Sequence, residues 1–378
     1  MANTLTDLIT DLYVALDTVS RELVGFVPAV TLDGRVSRAA VGQAVTSPVT
    51  GAESASDVTP GVTPPNDGDT VVGNNKITIT KSRRVPVRFN GEESRGLQSG
   101  PGVLTIRGQR FAQAMRTLVN EIESDIGLLY RTTSRAYGTA GTTPFATAGD
   151  YSDAAQVRKI LADNGAPESD MQLVINTTAG ANIRGKQAQA YMYGNDILQR
   201  QGVLQDISGM QIRESAAVRN HVKGTAAGYL VNNGAGYASG STAIAADTGT
   251  GTILAGDVVT FNGDANRYVN SVALAGGALT LSAPGLRQVI ADNTAITVGN
   301  NYAANMAFSR SAIVLATRAP ALPEEGDQAV DRFTVTDPRS GLSFEVSMYL
   351  QYRQVQYEVA IAWGVANMKT EHTAILLG

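Results

Sequence analysis

RGQRFAQAMRTLVNEIESDIGLLYR, residues 107–131, is the stretch on which the fold turns. Phe111, Met115, Leu118, Val119, Ile122, Ile126 and Leu129 recur at intervals of three and four, so they share one face of a helix. Thr105 is a candidate N-cap. At 1.5 Å per residue such a helix spans about 37 Å, enough to serve as the backbone of a domain. The other face carries Arg110, Arg116, Glu121, Glu123 and Asp125 and is expected to be solvated.

Upstream, Gly100-Pro101-Gly102 separates this helix from two alternating runs, Lys76 to Lys81 and Val85 to Phe89. Their period of two signals a strand, and Pro86, which cannot donate to a ladder, places it at a sheet edge. An open edge needs cover. Two readings stand: a surface hairpin, or a loop that docks on another subunit. Lys81, Arg83, Arg84, Arg88, Glu92, Glu93 and Arg95 cluster around this strand. They either lock it on a neighbour through salt bridges or keep an edge soluble. Val41 to Asn75 is Gly-, Ser-, Thr-, Pro- and Asn-rich and cannot build a core, so it reads as an extended excursion. Before it, Leu5, Leu8, Ile9, Leu12, Leu16, Val19 and Leu23 form a helical stripe, with Thr4 and Asp7 placed as a cap. That helix packs on its own domain or serves as an arm to another subunit.

Downstream, Ser152 is expected to cap a helix ending before Gly165, Met171 to Ile175 is an apolar strand, and a second helix runs from about Thr178 to Met192. Helices alternating with strands indicate a mixed α/β or α+β core. From about Gly224 to Tyr302 the chain changes to short alternating runs. Turn signals at Asn262-Gly263, Gly276-Gly277 and Pro284-Gly285 separate them, as in a small β-barrel or sandwich. The mixed pattern then resumes. A strand from Ala312 to Ala316 is followed by long strands with Leu342, Phe344, Val346, Met348 and Leu350 on one face, and Val355, Tyr357, Val359, Ile361 and Trp363 on one face of the next. A host core interrupted by an all-β insertion accounts for this order.

Composition removes several function classes. With 30 Lys plus Arg against 34 Asp plus Glu, the net charge of −4 argues against gripping nucleic acid through its phosphates. Cys is absent and the histidines are two, His221 and His372, so no disulfide, thiol nucleophile or metal catalysis is expected. Each histidine is expected at the surface or an interface. No apolar run approaches the ~20 residues that cross a bilayer, and no secretion-signal pattern opens the chain, so it is expected to be soluble and unexported. The 39 glycines exceed the background of roughly 7% and imply many turns. Arginine outnumbers lysine 24 to 6, the preference of oriented pairing at interfaces.

The chemical motifs are incomplete. Gly180-Ala-Asn-Ile-Arg-Gly-Lys186 has the spacing of a phosphate-binding loop, but Gln187 stands where Ser or Thr must hold magnesium. Asn262, Asp264 and Asn266 mimic the start of a calcium loop, yet Arg267 replaces its glycine and no closing Glu follows. No catalytic residue, cofactor site or metal site is assigned. The surplus lies in elements suited to touching copies of the same chain.

The order of elements resembles the major capsid proteins of tailed double-stranded DNA bacteriophages, the Hong Kong ninety-seven fold, and more narrowly the coat-protein family of the Salmonella podovirus P-twenty-two. Ile253-Leu-Ala-Gly-Asp257-Val-Val-Thr-Phe261-Asn-Gly263 and Ala307-Phe-Ser-Arg310-Ser-Ala-Ile-Val-Leu315-Ala-Thr-Arg318 are the segments most similar to it. The resemblance implies an α+β fold with N-arm (1–40), E-loop region (41–99), P-domain and the first part of the A-domain (100–223), an inserted β-barrel (224–306), and the rest of the A- and P-domains (307–378). Gly234 to Thr252 is then the insertion's long loop, with Asp247 its one charge. It further implies hexamers and pentamers in an icosahedral procapsid built in the host bacterial cytoplasm with scaffolding and portal proteins. DNA would be enclosed without sequence-specific binding and without a membrane. A bacterial surface-layer or adhesin-type subunit is the alternative. An enzyme dependent on Lys186 is a third reading.

Overall fold

The apolar stripe of residues 107–131 closes on a sheet. The structure is a computed structural model that describes residues 24–34, 37–49, 55–63, 73–93, 103–147, 150–187, 204, 206–337 and 340–378. The N-terminal stripe from Leu5 to Leu23 lies outside these residues. The long helix α1 spans Val103–Gly127 and continues into a 3-10 turn over Leu128–Thr132. It therefore starts four residues before Arg107, with Thr105 inside it rather than capping it. Phe111, Met115, Leu118, Val119, Ile122 and Ile126 are buried as the spacing requires. Each such side chain contributes roughly 1.5–3 kcal/mol on leaving water. The α-helix stops where Gly127 meets Ala217; a Cβ there would lie 2.8 Å from the Ala217 carbonyl oxygen.

The partner of α1 is a six-stranded sheet. Its centre is β19 (Gln354–Asn367), the longest strand. One flank of β19 carries β18 (Ser343–Gln351) and β16 (Ile313–Arg318) end to end, followed outward by β17 (Asp331–Thr336) and β1 (Thr31–Asp33). Among the described residues the other flank carries β4 (Lys81–Asn90) alone, paired over ten residues with Pro86 opposite Glu358. The edge position expected from Pro86 is thus the one found. The single strand read across Lys76 to Phe89 is two strands with different partners. β3 (Gly73–Thr78) pairs instead with β2 (Ala44–Val49) in a two-stranded ribbon. β18 and β19 form the expected hairpin of long strands, but Leu350 departs from its face's pattern: it sits near the turn and is exposed.

A second, twelve-stranded sheet has the path β7 (Met210–Glu214), β6 (Met171–Ile175), β15 (Tyr302–Ser309), β20 (Thr373–Leu377), β5 (Arg135–Tyr137), β12 (Arg267–Ala275), β13 (Ala278–Leu281), β10 (Ala243–Asp247) and β9 (Leu230–Val231). β8 (Asn220–His221) joins β15, and β11 (Val258–Phe261) joins β12 and β14 (Ile296–Val298). Helices α2 (Ser152–Asp163) and α3 (Thr177–Gln187) share a core with β6, β7 and β20. Ser152 is the first residue of α2, not its cap; its N–H donates to Asp150 Oδ1 at 2.7 Å. The phosphate-loop spacing Gly180 to Lys186 falls inside α3, where Gly180 permits close packing on Glu214.

The strands after Gly224 have their own core, which includes Ile244, Phe261, Tyr268, Leu279 and Ile290. Their pairing runs β9, β10, β13, β12, β11, β14 and returns to its start. Leu230 bridges Ala295, Ile296 N–H donates to the Tyr229 carbonyl, and Val231 N–H donates to the Thr294 carbonyl. β12 also pairs with β5, so this ring is continuous with the larger sheet.

Candidate intersubunit interface

β4 alternates between two surfaces. Val87 and Phe89 are buried against α1, while Arg84, Pro86 and Arg88 face outward. Its charges were candidates for contact with another subunit, and the structure sorts them. Lys81 Nζ lies 2.8 Å from Asp125 Oδ1 and 3.1 Å from Glu121 Oε1. Burial disfavours this ammonium, but Asp125 and Glu121 outweigh it and hold the pKa above its ordinary value. Arg83 reaches Glu121 at 3.4 Å, and Arg84 reaches Glu358 at 2.8 Å. Those three charges bind β4 to its own α1 and β19, so each has a partner within the chain. Glu93 and Asn90 form a reciprocal cap, Asn90 N–H on Glu93 Oε2 at 3.1 Å and Glu93 N–H on Asn90 Oδ1 at 2.6 Å.

Arg88 and Glu92 are exposed and, among the described residues, have no ion pair. Arg95 lies outside the described residues. Asp247 is remote from β4 on β10, exposed, and accepts from Thr248 Oγ1 at 3.1 Å. The structure therefore gathers Lys81 to Glu93 at one sheet edge and leaves Asp247 on the β ring.

Two polar centres escaped the sequence reading. Glu123, assigned above to a solvated helix face, is only 2% exposed. The strap Phe26–Val27 covers it: the Val27 and Phe26 N–H groups donate to its carboxylate at 2.6 and 3.1 Å, and Ser215 Oγ donates at 2.7 Å. Burial pushes this carboxyl up from its ordinary value, partly offset by those donors. Asp125 on the same face is covered too, accepting from Trp363 Nε1 at 2.9 Å. A helical wheel treats every charged position alike, and only the strap and β19 distinguish these two.

The histidines are also corrected, because both are buried. His221 Nδ1 is 2.8 Å from Tyr130 Oη, and its Nε2 is 2.8 Å from Asp257 Oδ1. Asp257 accepts further from Gly224 N–H at 3.1 Å and Leu254 N–H at 2.6 Å. This chain of bonds ties the turn after α1 to the strand ring and leaves no acceptor facing solvent. His372 closes the last 3-10 turn, and burial lowers its pKa. The calcium-like Asn262, Asp264 and Asn266 form a polar turn, with Asp264 accepting from Asn266 N–H and from Tyr268 Oη.

The ribbon of β2 and β3 is rooted beside β4. Ile77 and Ile79 are buried with Ala39, Ala316 and Ala362, and Thr80 N–H donates to the Trp363 carbonyl. Beyond this root the described side chains are mostly exposed, Val58 and Val62 fully so. Exposed apolar groups recur at the β18–β19 turn, where Leu350 is 60% and Tyr352 86% exposed.

No protein-family model matches the sequence, and no curated protein matches it. Solved structures do. Against the capsid structure of the cyanophage P-SCSP1u the TM-score is 0.51 at 12% identity, covering 95% of this chain and 89% of that one. Lower scores are found for the capsid of a native GTA particle, 0.45 at 11% identity over 95% and 91% of the two chains, and for Mycobacterium phage Che8, 0.44 at 12% over 90% and 88%. Of these three, the first reaches the level at which a fold is shared, so the chain has the fold of a phage capsid subunit.

Proposed function

We propose that this chain is the major capsid protein of a tailed double-stranded DNA bacteriophage, a structural subunit and not an enzyme. The observation that carries this reading is the fold shared with the cyanophage capsid chain over 95% of the sequence. The exposed ribbon, the open sheet edge and the apolar β18–β19 turn support it, since each is suited to burial between copies.

In this reading residues 1–40 are the N-arm and 41–99 the E-loop region, with β2 and β3 as its ribbon. Residues 100–223 form the P-domain around α1 and begin the A-domain, and 307–378 complete both. Residues 224–306 are the inserted barrel of the P-twenty-two type, a reading supported by the six strands that close on themselves. Hexamers and pentamers assemble in the host cytoplasm with scaffolding and portal proteins, and the shell expands as DNA enters. The net charge of −4 suits a container that a motor fills, because a basic lining would bind the incoming phosphates. Many modest contacts acting together supply the stability. Sedimentation velocity of the purified chain, alone and with scaffolding protein from the same source, tests the proposal. Fast-sedimenting closed particles in either sample are expected, and monomers alone in both would overturn it.

A further inference from the structure

Among the described residues, β4 and β17 are edge strands on opposite flanks of the six-stranded sheet, and the surfaces beside them carry unanswered charges of opposite sign. Ala362 and Trp363 pair with both β4 and β16, and residues 354–360 pair with both β4 and β18, so β4 stands alone on its flank. β17 lies at the opposite flank and pairs only with β18 among the described residues.

At the β4 edge a polar groove of about 570 Å³ is lined by Arg84, Arg88, Glu93, Arg110, Gln354 and Gln356. Glu358 answers Arg84, and Glu93 is engaged by Asn90. Arg88 and Arg110 face no carboxylate partner among the described residues; Arg110 donates to the Arg88 carbonyl at 3.3 Å and lies 4.9 Å from the Phe89 ring centroid. At the β17 edge the preceding loop is shaped from within. Gly326 N–H donates to the Pro323 carbonyl at 3.0 Å, with Gly326 at a φ of 82°. Asp327 accepts from Arg332, from Tyr349 Oη at 2.9 Å and from Ala329 N–H at 2.8 Å. Glu324 and Glu325 beside this turn are exposed, with no ion pair among the described residues. Two unanswered guanidiniums at one edge thus match two unanswered carboxylates at the other.

We propose that the occupant of the Arg88–Arg110 groove is the Glu324–Glu325 loop of a second copy of this chain. Pro86 lies at the middle of the β4 edge and has no N–H to offer outward, so a ladder with an incoming strand is interrupted there. Recognition therefore falls to side chains, and Arg binds carboxylates bidentately. Because the two surfaces differ and lie on opposite flanks, the contact is head-to-tail, which closes into rings when the rotation permits. It deepens the capsid reading and rests on it for the assembly in which the ring is used.

The test exploits the absence of cysteine. Gln354→Cys, in the groove, and Gln328→Cys, beside the acidic loop, are made as single variants, mixed and treated with a short bismaleimide. The mixture is expected to give a crosslinked dimer, and neither variant alone is expected to do so. Adding Arg88→Glu and Arg110→Glu to the first variant is expected to cut the yield about tenfold, and adding Glu324→Lys and Glu325→Lys to the second is expected to restore it. Thermal melts of each variant confirm that it is folded. A yield insensitive to the charge changes, or self-crosslinking of either single variant, overturns the proposal. Wild-type shells in the microscope without the mixed crosslink reject this contact and leave the capsid reading intact. The mixed crosslink without shells does the reverse.

Discussion

Glu123 is the residue at which charge and burial conflict most directly. Its carboxylate accepts from two backbone N–H groups and Ser215, so Glu123→Ala leaves three donors unsatisfied and is expected to cost about 3 kcal/mol in chemical denaturation. The pH dependence has a definite sign. Burial raises the folded-state pKa above the unfolded one, so between the two values the folded chain holds more protons. Stability from this group is therefore expected to fall as pH rises from the ordinary carboxylate range through the raised value. Glu123→Gln is expected to remove that slope in urea titrations compared across this window. Lys81 has the same sign at the alkaline end of the scale: its raised pKa gives stability that is present at neutral pH and lost as pH rises through the folded-state value. Lys81→Met is expected to abolish the alkaline loss. Asp257→Asn breaks the bond chain through His221 at its fully buried end and is expected to cost about 3 kcal/mol. None of these roles was legible in the sequence. Glu123 and Glu121 sit on the same polar stripe, and what separates them is a strap about a hundred residues away. His221 is expected at the surface or an interface because its partners, Tyr130 and Asp257, are distant in sequence.

At the scale of elements the sequence was far more informative. The stripe from Phe111 to Ile126 required a long helix with a buried face, the alternation around Val359 required a two-faced strand, and Pro86 required an edge. Those are periodicity and steric constraints that hold whatever the partner is. The start of α1 was misplaced because Val103 and Leu104 extend the helix beyond the turn signals. The junction between β3 and β4 was missed because alternation continues through a change of pairing partner. That junction carries its own test. β19 crosses the root of the ribbon at Gly364, where a Cβ would lie 2.1 Å from the Thr78 carbonyl oxygen. The obstacle is backbone, so Gly364→Ala forces the ribbon away from the sheet. Protease cleavage within the ribbon is expected to accelerate in this variant, while the denaturant midpoint falls by an amount equivalent to about 2 kcal/mol. Unchanged cleavage would show that the ribbon is not held at this crossing.

For the whole molecule, the mixed α+β chain shares its fold with a phage capsid subunit. Layout survives divergence because layers and connections are set by which faces must be buried, not by particular side chains. The surfaces between copies are less legible, since a charged edge strand reads the same whether its partner is solvent, its own helix or a neighbour. Three of the six described charges on and after β4 bind their own chain, and the unanswered ones define where a neighbour is expected. Electron microscopy of the protein expressed alone and with scaffolding protein from the same source tests the proposed role of shell subunit most directly. Closed isometric shells of uniform size, in either preparation, are the predicted result. Dispersed monomers in both preparations would contradict the account.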